Sequence, residues 1–351
     1  MIEIDGAYGE GGGQIVRTAC SLAAVTRQPS HIINIRQARR QPGLRLQHLL
    51  AIQALRQLCG GWLAGDKVGS RELTFRPGEI LAGDISVRIG TAASITLIIQ
   101  CLIPALLSAP CPVRVAFSGG ATDTPFAPPL DYLRYVHIGL LRMIGIDVNM
   151  GTARRGYYPV GGAEVTVEIR PAKPQAIDVS TRGPLKQVHL MSSAAAVLRR
   201  RRVAERQLEG ALPLLGSLPF APRGSTEYSP SISAGSALCI VAEFERTILG
   251  ANALGARGKM AEQVGAEAAE QFLTEFNSNA CLDHYMGDQI LPYMALAGRR
   301  SSVTVSKITE HCRTNMWVIE KFIAGKFEVQ PDRLRWSPAK ATNEQPAPGR
   351  A

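Results

Sequence analysis

The feature that most constrains this chain is an alternation. Short β-branched runs ending in glycine hand into apolar helical runs. The pattern recurs at roughly 60–80 residue intervals, the scale of repeated supersecondary units. "HIINIRQ" (31–37) alternates and is rich in isoleucine, which predicts a strand. "LRLQHLLAIQALRQLCG" follows as a helical run, with Gly60 placed to end it. "ELTFRPG", "DISVRIG", "CPVRVAFSGG" and "AEVTVEIRP" predict further strands, and "LDYLRYVHIGLLRMIG" a helix. "SITLIIQCLIPALLSA" (94–109) is almost wholly apolar, but it is short and contains Pro104. It predicts a buried core helix, because a membrane span needs about 20 residues.

The pattern breaks at "PAKPQAIDVSTRGP" (171–184), whose three prolines predict a linker. Beyond it come a helix ("VAERQLEGALPLL"), a strand ("ALCIVAEFE") and a helix ("KMAEQVGAEAAEQFLTEF"). In the last of these Val264, Ala268, Phe272 and Phe276 share one face at i, i+4 spacing. The expectation is an α+β fold with two domains: a large one from 1–184 plus 281–337, and a smaller one from 185–280. The polar, proline-rich stretch 338–351 reads as a disordered tail.

Charge bears on partners. The chain has 39 Lys and Arg against 29 Asp and Glu, a formal net charge of +10. That tilts toward polyanions, since neutralising phosphates releases counterions. The seven cysteines are scattered and form no C-x-x-C pair, so they read as buried hydrophobes in a reducing compartment, not as a zinc or disulfide framework. The first residues lack a basic stretch leading into an apolar one, and no apolar run is long enough to span a membrane. A cytoplasmic protein is expected.

"YGEGGGQIVR" (8–17) is the first candidate for chemistry. A glycine run lets backbone N–H groups approach an anion without Cβ atoms in the way. It is neither a P-loop nor the Rossmann fingerprint, and a tight turn capping the next helix explains it as well. Glu10 and Arg17 tip the balance toward a ligand: a carboxylate can hold a divalent cation, and a guanidinium fork matches a phosphate. Arg36, Arg39 and Arg40 crowd a strand-to-helix loop, which suits phosphate recognition or a solvated basic loop. Arg199 to Arg202, in "LRRRRV", read first as exposed surface and second as an RNA-backbone contact. His311 stands between a β-like run and an amphipathic helix, and no histidine lies in a zinc-binding pattern. Asp288 and Gln289 precede an apolar segment and would serve there as a helix cap.

Taken together and in order, "DGAYGEGGGQIVR", "IRQARRQPGL", "SGGATDTPFAPPLDYL", "GYYPVGG", "HYMGDQILPYMALA" and "EHCRTN" resemble the RNA 3′-terminal phosphate cyclases, over residues 3 to 330. The resemblance implies a large domain of repeated βαβαββ-type units, similar to the C-terminal domain of translation initiation factor three, with a smaller α/β domain inserted. It implies ATP-dependent conversion of an RNA 3′-phosphate to a 2′,3′-cyclic phosphodiester, with ATP and Mg²⁺ or Mn²⁺ required. His311 matches the family's nucleophile, which carries AMP, and Glu10 its metal-binding carboxylate. Arg17, Arg36 and Arg39 match its phosphate contacts. Gln14, Gln47 and Gln100 match polar positions of the nucleotide pocket. Tyr285 would stack on adenine, with Met286, Gly287, Asp288 and Gln289 beside it. The alternative is a silent, RNA-binding ribosome-assembly factor on the same fold; that branch lacks the histidine.

Overall fold

Strand β8 (Glu164–Ile169) shows the alternation at work: Val165, Val167 and Ile169 are buried while the residues between them face the other way. Four four-stranded sheets make up this computed structural model, which describes residues 1–219 and 221–339. The first sheet has β1 (Ile2–Asp5), β2 (Ser30–Ile33), β3 (Trp62–Ala64) and β4 (Leu73–Arg76), in the order β1-β2-β4-β3. Its helices are α1 (Gly13–Thr26) and α2 (Leu46–Cys59). The second sheet repeats that order as β5-β6-β8-β7, with β5 (Ile85–Ser94), β6 (Val113–Ala121) and β7 (Val148–Arg154). The core helix α3 (Ile95–Leu106) crosses between β5 and β6. A π-helical turn (Tyr132–His137) runs into α4 (Ile138–Met143), where the sequence predicts one helix.

The 171–184 segment does more than link. It carries β9 (Asp178–Val179), which pairs in parallel with a strand far downstream, β14 (Ser301–Thr304). With β15 (Gly325–Val329) and β16 (Arg333–Pro338) they form the third sheet, β9-β14-β16-β15. In each of these three sheets the first pair is parallel and the other two antiparallel. Helices α7 (Met286–Gln289), α8 (Leu291–Leu296) and α9 (Glu310–Phe322) accompany the third. Between β9 and β14 lies the fourth sheet: β10 (Leu185–Ala195), β11 (Arg223–Ser229), β12 (Ser236–Phe244) and β13 (Ile248–Leu254). Helices α5 (Val203–Ala211) and α6 (Ala261–Asn277) cover it.

Two apolar clusters result. One is built almost wholly from the first three sheets and their helices; the other joins the fourth sheet to α5 and α6. Val264, Ala268 and Phe272 are buried in the second cluster and Phe276 packs at its edge, as their spacing predicts. Gly60 ends α2 in the left-handed conformation (φ 58°). Strand β2 stops earlier than predicted because Asn34 and Arg36 turn to positive φ. All seven cysteines are free. Among the described residues no helix is long and apolar enough to cross a membrane. Pro338, assigned to the tail from sequence, closes β16; residues 340–351 lie outside the described residues.

Candidate active site

Helix α1 begins without a side-chain cap. Gly12 is its N-cap, in extended conformation, so the first N–H groups of the helix are left open toward the loop. Gly11 (φ 55°) makes the turn that brings the chain into the helix. The loop is pinned to α9: Tyr8 stacks on Trp317 with ring centroids 4.1 Å apart, and Gly9 lies directly against Thr314. Helix α9 therefore holds the glycine loop and, from its first turn, presents His311. Its N-cap is Thr309, whose hydroxyl accepts from the Cys312 amide.

Glu10 and His311 meet across this junction, Oε2 to Nε2 at 2.9 Å. The same Glu10 oxygen accepts from Arg39 Nη2 at 3.2 Å. Gln14 Nε2 donates to the His311 carbonyl at 3.0 Å. Burial and the charges of Arg17 and Arg39 hold the His311 imidazole below its ordinary value, outweighing the upward pull of Glu10. The ring is therefore neutral near pH 7. Arg17, Arg36 and Arg45 lie close enough, together with burial, to push His48 well below its ordinary value, so this face of the protein carries several guanidinium groups. Among the described residues Arg17 makes no ion pair, and burial lowers its pKa.

Beneath α1 lies a cavity of about 40 Å³, lined in part by Gln14, Arg17, Gln100, Asp288, Gln289 and Asn315. That volume holds little more than a water molecule. Asp288 is buried, accepts from Gln289 Nε2 at 2.9 Å, and is pushed up to about 7 by burial against the pull of that bond and of Arg17. Gln100 bonds His137 Nδ1 at 3.0 Å.

Other predicted residues fall elsewhere. Tyr285 is 44% exposed, outside the cavity lining, and meets Tyr132 edge-on. Met286 is fully buried in the core. Gly287 lies against Val305 and Cys312, where a Cβ would come within 2.5 Å of Val305 Cγ1. Gln47 is half-buried in the first turn of α2 and does not line the cavity. Arg36 donates to the Gln41 carbonyl at 3.3 Å. Asp288 and Gln289 lie within α7, and Ile290 is the N-cap of α8, so neither caps the apolar segment they precede. Asp283 Oδ1 accepts from the Tyr285 and Met286 amides at 3.0 Å. Among the described residues no group of three or more His, Cys, Asp or Glu is placed to hold a metal ion. Glu10 is a single carboxylate among cations, which fits a partner to a phosphate-borne Mg²⁺ better than a protein cage.

The sequence profile of the RNA 3′-terminal phosphate cyclases matches residues 8–329. This chain belongs to that family. The RNA 3′-terminal phosphate cyclase of Pyrococcus furiosus is 44% identical over 331 residues, covering 94% of this chain and 95% of its own. That of Pyrococcus abyssi is 42% identical over 330 residues, with the same shares, and that of Caldivirga maquilingensis 40% over 336, covering 94% of each. A similarity to the enolpyruvyl transferase NikO from Streptomyces tendae covers 96% of this chain and 81% of the other, at 10% identity. Its TM-score of 0.28 carries no argument.

In this cyclase-family chain, sequence reasoning passed over Asn315, Thr18 and His48. Asn315 Oδ1 accepts from Thr18 Oγ1 at 2.9 Å, and its Nδ2 donates to the Asp288 carbonyl at 3.2 Å. It thus ties α9 to α1 and α7. The spacing held a signal: Asn315 is four residues after His311, and Thr18 four after Gln14, so each shares a helix face with a recognised residue. His48 accepts the Arg45 amide at Nδ1, and its ring lies where a Cβ on Gly13 would stand, 1.9 Å from Nε2. Nothing in its own neighbourhood of the sequence signals that contact.

Proposed function

We propose that this chain uses ATP to convert an RNA 3′-phosphate into a 2′,3′-cyclic phosphodiester, with His311 carrying AMP between the two substrates. The observation that carries the reading is a neutral His311 whose Nε2 faces Gly12 and the open start of α1, among arginines. Family membership, and relatives named for this activity, support the substrate class.

In the neutral ring the Nε2–Glu10 hydrogen bond places the proton on Nε2. As the triphosphate enters, that bond opens, the proton exchanges through solvent to Nδ1, and the freed Nε2 lone pair attacks the α-phosphorus. An N–P bond forms, the bond from the α-phosphorus to the pyrophosphate oxygen breaks, and pyrophosphate leaves. An oxygen of the RNA 3′-phosphate then attacks the same phosphorus, and the imidazole leaves. Last, the RNA 2′-hydroxyl attacks its own terminal phosphorus, its proton passes to solvent, and AMP departs. Arg17, Arg39 and the open N–H groups of α1 bind and orient the phosphates. A divalent cation on the nucleotide, reached by Glu10, would offset the triphosphate charge. Asp288, Gln100 and Gln14 form the floor, and Tyr285 offers an exposed ring to adenine.

The same reading extends to architecture. We take the three like-ordered sheets as three copies of one βαβαββ unit, 1–184 plus 281–337, with 185–280 inserted into the third. The scattered free cysteines accord with a reducing, cytoplasmic setting.

The test is labelling with α-³²P-ATP and Mg²⁺ or Mn²⁺, beside His311→Ala. An acid-labile, alkali-stable protein label, absent from the variant and discharged by 3′-phosphorylated RNA, is expected. A folded, ATP-binding protein that takes no label would overturn the reading in favour of a silent assembly factor.

A further inference from the structure

A large cleft lies away from His311. Its volume is about 830 Å³, against about 40 Å³ for the cavity under α1. Its walls come from the loop after β7, from the turn between β13 and α6, and from the 3₁₀ turn Ala196–Arg201 that carries most of the "RRRR" run. Two kinds of group line it. Tyr158 (61% exposed) and Met260 (56%) present apolar faces that the fold leaves uncovered, with Leu198 beside them. Arg201 and Arg257, both exposed, make no ion pair among the described residues. The other two cations of the lining, Arg206 and Lys259, are already paired, with Glu262 and Glu267.

Unpaired arginines interleaved with an exposed aromatic form the pattern that holds single strands: guanidinium groups follow the phosphates while bases stack without sequence preference. Buried contacts tie the wall of the cleft to Tyr285. Asp123, on its floor, meets Arg155 Nη1 at 3.5 Å, and Arg155 Nη2 bonds Asp131 at 2.8 Å. The next residue, Tyr132, donates to Asp283 and meets the ring of Tyr285 edge-on. One chain of contacts therefore joins the cleft to Tyr285.

We infer that this cleft binds the RNA strand on the 5′ side of its terminal phosphate, with Arg201 and Arg257 on backbone phosphates and Tyr158 under a base. The inference rests on the cyclase reading, since it takes the strand's 3′ end to be at His311. It assigns the small unit, and the basic run within it, a part in holding substrate rather than in chemistry.

The test is fluorescence anisotropy with a 5′-labelled ten-nucleotide RNA bearing a 3′-phosphate, on the full chain and on Arg201→Glu/Arg257→Glu. Arg299→Glu/Arg300→Glu, outside the cleft lining, changes net charge by the same amount. The cleft variant should bind at least tenfold more weakly, with a shallower salt dependence, and the control within twofold of wild type. ATP labelling of the protein, which needs no RNA, should be unchanged in both. Wild-type affinity in the cleft variant overturns the proposal and leaves the cleft to some other partner, such as a protein. Equal weakening in the control also overturns it, as attraction by the general positive field. If wild type takes no label from ATP, the adenylation reading falls, while the anisotropy comparison still decides the cleft.

Discussion

Three adjacent glycines do three different things. Gly11 needs its positive φ. Gly13 has no room: a Cβ would meet the His48 ring at 1.9 Å. Gly12 has room, since the nearest atoms to a Cβ there are Arg39 Nη2 at 3.6 Å and His311 Nε2 at 4.0 Å. Gly13→Ala should therefore lower stability in urea by about 1–3 kcal/mol, by displacing His48. Gly12→Ala should leave the melt unchanged and, on the proposed mechanism, slow ATP labelling at least tenfold, because its methyl would enter the space assigned there to a phosphate. Equal effects of the two on stability would contradict this division. Asp288 gives a pH prediction. Its folded pKa, about 7, lies above the unfolded value of about 4, so between those values the folded state binds more protons. Its contribution is fully present below about pH 4 and is lost as pH rises through 7. The unfolding free energy of wild type relative to Asp288→Asn should fall steadily over that window; a flat difference would mean that the carboxyl is not buried as described. His311 runs the other way. Its lowered pKa keeps it neutral above its ordinary value, so the labelling rate should be level above pH 6.5 and drop only at lower pH.

At the scale of elements, α9 organises the site. It is started by Thr309, carries His311 in its first turn, and one turn later ties itself to α1 and α7 through Asn315. Thr309→Ala should cost about 1 kcal/mol as a lost N-cap. Asn315→Ala should slow labelling with little change in ATP affinity, because it loosens the register of α9 against α1 while leaving Arg17 and Arg39, the proposed phosphate contacts, in place. A rise in the ATP dissociation constant with an unchanged labelling rate at saturation would assign Asn315 to binding instead. Most elements were legible in the sequence, because period two and period 3.6 are local properties. Helix α2 with Gly60 at its end and the apolar face of α6 follow directly. β9 was not legible: two residues in a proline-rich stretch become a strand only because β14, more than a hundred residues on, supplies the partner. The π-helical turn at Tyr132–His137 was hidden too, since its sequence has an ordinary helical pattern.

At the scale of the molecule, two apolar clusters are joined by buried charge. Arg155, 2% exposed, bonds Asp131 and reaches Asp123 on one side and Glu227 of β11 on the other. Arg155→Ala leaves two carboxylates buried without a cation, and should cost about 3–5 kcal/mol in chemical unfolding. A cost under 1 kcal/mol would show that water replaces the guanidinium there. Arg182 closes the other crossing: it donates to the carbonyls of Glu275, Phe276 and Ala280, the last of α6 and the exit from it. Two chain passages separated by the whole fourth sheet are thus held by one side chain.

The sequence by itself determined the α+β class, the family, and most of the residues that meet near His311, because motifs and periodicities are written in neighbouring positions. Only the tertiary structure decided how they meet. It set Glu10 against His311, Asn315 against Asp288 and His48 against Gly13, gave Met286 to the core, and opened the cleft beside the basic run. Contacts between residues distant in the chain depend on how sheets and helices stack, and burial, which sets the charge on Asp288 and His311, belongs to that stacking and not to any stretch of sequence.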